Sequence, residues 1–200
     1  MNEKNVVEEI FRACEKARPY VGVDDRTVEM LRKISGVVLA KKDVIVDSAL
    51  ASLLQEEECI AIAQRAGLSV ERARSLLLYW LETVFRRDYD RKHCLEVAKI
   101  ALAHVKAGVP PLFMVTQMGA FAREILNHLA GDAQQSRAVI QALFWNLAVM
   151  IQSYEVIRLM VFGKATGIGG AVYDRLVQLY AKEIYDVMAR EIEKQLKSCQ

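Results

Sequence analysis

Three histidines, His93, His104 and His128, and four cysteines, Cys14, Cys59, Cys94 and Cys199, are the side chains best suited to bind a metal or act as nucleophiles. The cysteines lie far apart in sequence and form no CxxC pair, so zinc-cage and dithiol spacings are missing. Scattered thiols of this kind are expected to stay reduced and to behave as small hydrophobes. His128 falls near a helix end, where a cationic imidazole complements the dipole. His93 follows Asp90, Arg91 and Lys92 and is expected to be exposed. His104 is different. Its neighbours are Ile100, Ala101, Leu102, Ala103, Val105 and Ala107, and Val97, Ile100, His104 and Ala107 share one helical face. An imidazole on an apolar face costs a few kcal/mol, of order 1–3, unless something bonds to it. A backbone carbonyl or a metal ion would each satisfy it.

Other chemistries are absent from the sequence. It contains no GxxxxGK[ST], no GxGxxG after a strand, no HExxH and no GxSxG. The carboxylates of Glu56-Glu57-Glu58 and Asp24-Asp25 lie on polar stretches with nothing apolar nearby to raise a pKa. No ExxH pair suits a di-iron bundle. An enzymatic role is therefore not expected. The 27 basic and 25 acidic residues give a formal charge of +2, too balanced and too scattered to indicate nucleic acid. No apolar run approaches the ~20 residues of a membrane span. The start, MNEKNVVEEIF, lacks the basic-then-apolar order of a signal peptide, so a cytoplasmic location is expected.

The elements that must position His104 are helices. Hydrophobic residues make up 53% of the chain, enough for a packed core, and alternating β-branched runs are missing. Helical spacing runs from Asp24 to Leu54 with a break near Lys41-Lys42-Asp43, then from Glu56 to Ala66. Gly67 and Ser69 read as a C-cap and a new N-cap, opening a helix to Phe85. A helix over 90–107 carries His104 and ends at Gly108-Val109-Pro110-Pro111. Helices follow over 112–129 and 134–162. The cluster Gly163, Gly167, Gly169 and Gly170 then separates a last amphipathic helix over 172–196. The fold class is all-α.

Residues 97–121, VAKIALAHVKAGVPPLFMVTQMGAF, resemble the proximal stretch of the globin-coupled sensors and protoglobins. There an apolar helix carries the haem-ligating histidine, followed by a basic residue, glycine, an apolar residue, proline and an aromatic-led helix. His104, Lys106, Gly108, Val109, Pro111 and Phe113 occupy those positions. The likeness extends back through Trp80–Phe85 and Tyr89 and forward to Gln152-Ser153-Tyr154. It implies a globin-like fold over residues 1–162, with 163–200 as a Gly-rich hinge and an additional C-terminal helix. It also implies a haem-binding sensor of a diatomic gas (oxygen, carbon monoxide or nitric oxide), with His104 as the proximal iron ligand. The haem would be non-covalent haem b, since CxxCH is missing. Leu50, Ala73, Leu76, Leu77, Trp80, Ile100 and Phe113 are the residues expected to line it.

The family's distal tyrosine position is occupied by Leu50, and its aromatic pair after the proline is Phe113-Met114. A non-haem sensor globin, acting as an apolar-ligand or association module, is the alternative reading. The resemblance also implies a homodimer through helices 112–129 and 134–162, with Met150, Tyr154 and Ile157 near its axis. Signalling would pass to a separate partner. The apolar positions of the tail helix drift and do not form a strict heptad, so a long left-handed coiled coil is not expected.

Overall fold

The computed structural model describes residues 3–129 and 131–198, all helical apart from short connections. The first helix, α1 (Glu3–Val21), carries Val6, Ile10 and Cys14 on one buried stripe and was not read from the sequence. The break anticipated near Lys41 separates α2 (Asp25–Leu39) from α3 (Lys42–Leu53). Asp24 opens α2 by accepting a 2.8 Å bond from the Thr27 amide. After α4 (Glu57–Arg65), Gly67 turns left-handed at φ +63 and Ser69 caps α5 (Val70–Arg86) through the Arg72 amide. Next come α6 (Arg91–Ala107) and α7 (Pro111–Leu126), the latter opened by its N-terminal proline. The last two are α8 (Ala133–Thr166) and α9 (Gly170–Ser198). Helix α8 runs on through Gly163. The chain breaks only at Gly167, where φ reaches +75.

Two compact units result, one ending at Ile157 and one beginning at Arg158. In the first, α3 packs against α5 and α7, α2 against α5, and α1 and α4 against α6. Leu31, Val38, Ile45, Leu81, Phe85, Phe121, Ile125, Leu143 and Trp145 are its deepest side chains. Arg74 reaches back from α5 to Asp43 and Asp47 of α3, each at 2.6 Å, and Lys42 meets Glu82 at 2.6 Å. The second unit comprises the end of α8 and α9, joined by a Phe162–Tyr173 ring contact at 5.6 Å.

Cys14 of α1 and Cys94 of α6 form a disulfide, with Cα atoms 6.2 Å apart. This corrects the expectation of reduced, functionless thiols. Eighty positions of sequence separate the two, so pattern reading had no local signal for the pair. Cys59 is free and half-buried, and Cys199 lies outside the described residues. Closing so long a loop removes unfolded-state entropy and stabilises the fold by about 2–4 kcal/mol. Dithiol reduction, or a Cys14→Ala/Cys94→Ala double substitution, should lower the urea midpoint and steepen the slope, because the opened denatured chain exposes more surface. Identical midpoints with and without reductant would count against the bridge.

Candidate functional site

Helix α6 begins at Asp90, whose side chain accepts a 2.9 Å bond from the His93 amide. It ends at Gly108, which takes φ +72, a conformation that strains any residue with a Cβ. There the Val109 amide bonds the His104 carbonyl at 2.9 Å and the Gly108 amide bonds the Val105 carbonyl at 3.1 Å. This is the Schellman pattern. It fixes the backbone of His104 in the last turn. The imidazole is half-buried. Burial lowers its pKa, and the Ile100 carbonyl one turn earlier opposes the shift. Nδ1 is buried and has no hydrogen-bond partner among the described residues. No hydrogen bond of Nε2 is formed among the described residues. His104 is thus a neutral imidazole at neutral pH.

The expected wall residues divide between core and surface. On α5, Ala73, Leu76, Leu77 and Trp80 follow one helical face. Trp80 is buried with its ring edge-on to Phe121 of α7 at 4.8 Å, whereas Ala73 and Leu77 are half-buried and Leu76 is 46% exposed. Helix α6 shows the same gradient in reverse. Cys94, Val97, Ala98 and Ala101 are buried, and Ile100 and His104 are half-buried. Only residues 87–90 link the two helices, and burial on both declines away from that link. Backbone packing agrees, since α6 is held by α1 and α4 with no comparably close approach to α3, α5 or α7. Leu50 is buried in α3, and Phe113 is half-buried in the first turn of α7.

The joined ends meet in a buried corner. Tyr89 takes φ +58, and its hydroxyl donates to the Val84 carbonyl at 2.9 Å. The ring of His93 stacks on Tyr89 at 4.8 Å, and Trp145 packs against both. His93 is fully buried, which overturns its expected exposure. Its charged neighbours are near in sequence, but on a helix the residues beside it project elsewhere. Asn146 donates through Nδ2 to the Ala142 carbonyl, which leaves its Oδ1 as an acceptor 3.5 Å from His93 Nε2. His93 therefore carries its proton on Nε2, and Nδ1 has no partner. Trp145 Nε1 donates to the Cys14 carbonyl at 3.3 Å, and the Arg91 guanidinium pairs with Glu8 and lies 4.2 Å over the Phe11 ring. Sequence reading missed this cluster. The stripe Val6, Ile10 and Cys14 was the available signal for its α1 side.

The comparisons with known proteins agree with the all-helical fold. The protoglobin family model matches residues 12–161. The chain belongs to the protoglobin family. Among solved structures it is similar to the globin domain of a Geobacter sulfurreducens globin-coupled sensor, with a TM-score of 0.63 and 21% identity. That likeness covers 70% of this chain and 96% of the other, and it establishes a globin-like fold. No curated protein matches the sequence. His104 is a half-buried imidazole in the last turn of α6, within the matched range. Its Nδ1 is buried without a partner, and a metal-bound imidazole keeps one ring nitrogen for the metal and the other for a polar neighbour. His104 would hold haem iron, and the residues present fit the group.

His93 supplies a separate, pH-dependent contribution to the fold. Burial lowers its pKa to about 4. The unfolded imidazole titrates at about 6.5. The stabilisation is therefore complete above the unfolded value and is lost as pH falls from there toward the folded one. Between pH 7 and 5 this amounts to about 2 kcal/mol of unfolding free energy. Urea denaturation of wild type and His93→Gln should show the variant less stable at pH 7 but flatter with pH. Equal pH slopes would mean that His93 does not carry the effect.

Proposed function

We propose that this protoglobin-family protein is a haem-binding sensor globin in which His104 ligates the iron and an apolar wall faces the bound gas. The observation that carries the reading is His104 itself: a half-buried imidazole in the last turn of α6 whose Nδ1 is buried without a hydrogen-bond partner. When bound, haem supplies a ferrous iron able to take oxygen, carbon monoxide or nitric oxide. Ile100 and the Schellman turn at Gly108 orient the imidazole. Ala73, Leu76, Leu77 and Leu50 exclude water from the opposite side, and Phe113 opens the helix behind. Leu50 offers no hydrogen bond, so a bound oxygen that develops negative charge gains nothing from this position. The wall carries no acid–base pair, and the role is sensing or carriage without turnover. We include in the proposal a homodimer through α7 and α8. Met150 and Tyr154, expected at its axis, are buried in the first unit, so Leu112, Val115 and Phe144, all exposed, are the residues for that contact.

Protein expressed with haem supply should show a Soret band corresponding to about one haem per chain, and His104→Ala should lose most of it. A wild type that stays colourless after reconstitution, yet is stabilised by fatty acids, would replace this reading with a non-haem, apolar-ligand module. Stopped-flow displacement should show Leu50→Tyr slowing oxygen release about tenfold, the value of one added hydrogen bond. An unchanged rate would remove Leu50 from the distal wall.

A further inference from the structure

Helix α9 carries a partly exposed apolar stripe, touched by α8 at its start, where Tyr173 meets Phe162. Tyr180 is 50% exposed, Ile184 60% and Met188 51%, with Val177 and Val187 similar. The heptad fails here, but an eleven-residue repeat holds. Tyr173 recurs as Ile184, Leu176 as Val187 and Val177 as Met188. Such a repeat returns to one face of a nearly straight helix, and two such helices pair without left-handed supercoiling. The stripe from Tyr173 to Met188 is about 23 Å long. The repeat lapses where Tyr180 would recur, at Glu191, which accepts a 3.0 Å bond from Gln195, while Ile192 and Leu196 carry the exposed apolar line onward.

The other side of α9 says what covers the stripe. Asp174, Glu183 and Asp186 stand among Arg175, Lys182 and Arg190, three acidic residues against three basic, with Leu179 and Tyr185 also exposed between them. An anionic lipid surface selects helices with a cationic polar face, and a charged partner selects one sign. A balanced face with a self-repeating stripe suits a partner of the same composition. We propose that α9 pairs with α9 of a second copy of this chain along Tyr173–Met188, giving an isologous contact. This contact is independent of the α7–α8 bundle and of haem.

The test uses the full chain. In a Cys59→Ala/Cys199→Ser background, Ile184→Cys should form an interchain bismaleimide cross-link, and Lys182→Cys on the charged face should not. Tyr180→Glu with Ile184→Glu should raise the dimer dissociation constant at least about tenfold by sedimentation while circular dichroism stays helical. The 184 cross-link should persist in Phe144→Glu, and that result with an unchanged dimer would remove the α7–α8 contact alone. Equal cross-linking at 182 and 184 would overturn the α9 pairing. So would a dimer lost in Phe144→Glu and indifferent to the α9 charges. Flotation of the wild type with phosphatidylglycerol vesicles would also overturn it, by making a membrane the occupant.

Discussion

The position of α6 depends on the buried corner where α5 turns into it. Tyr89 adopts a left-handed conformation that costs a bulky residue free energy. It is retained because the surrounding contacts over-determine it. The Tyr89 hydroxyl is bonded to Val84, its face is covered by His93, and its edge meets Trp145. Each polar atom taken from water there either finds a partner or costs free energy. The packed rings offset that cost with area and specific geometry. The disulfide and the Trp145–Cys14 bond then extend the corner to α1 and α8. The joined end of α6 is thereby fixed from several directions at once.

Fixing one end leaves the other free to stand apart. The long rigid element carries the constraint of the corner outward, and His104 lies ten residues beyond Cys94, about 15 Å along the axis. At that distance Ile100 and His104 are only half-buried, as Ala73 and Leu77 are in the first half of α5. Local stability follows the density of buried contacts. The closed ends of α5 and α6 therefore supply rigidity, and the open ends supply surface that a ligand can cover. The ion pairs of Arg74 with Asp43 and Asp47 tie the open part of α5 to α3 without filling that space.

Much of this was legible in the sequence because it is local. Gly67, Ser69, Gly108 and Pro111 act within a turn or two of themselves, and each closes or opens a helix where its backbone preference requires. The all-α class, the break near Lys41 and the protoglobin pattern around His104 rest on that kind of signal. What was not legible depends on distant residues. The burial of His93 is decided by Asn146 and Trp145, which lie far along the chain, while its immediate neighbours are charged. Cys14 and Cys94 meet only because α1 folds onto α6. Met150 and Tyr154 look like a free apolar face in one dimension, and the fold uses them as core. Gly163 reads as a break, yet helical backbone tolerates an isolated glycine at modest cost.

The two histidines of α6 show why burial alone does not nominate a ligand. Both have pKa values pushed down by desolvation, so both are neutral bases at neutral pH. They differ in what surrounds the ring. His93 turns Nε2 toward Asn146 and is enclosed by aromatic rings, so no external group can reach it. His104 is only half-buried, its Nδ1 has no partner, and among the described residues no aromatic ring encloses it. One imidazole is therefore spent on holding the helix. The other, carried to the far end of the same helix, keeps a lone pair for something the chain does not provide.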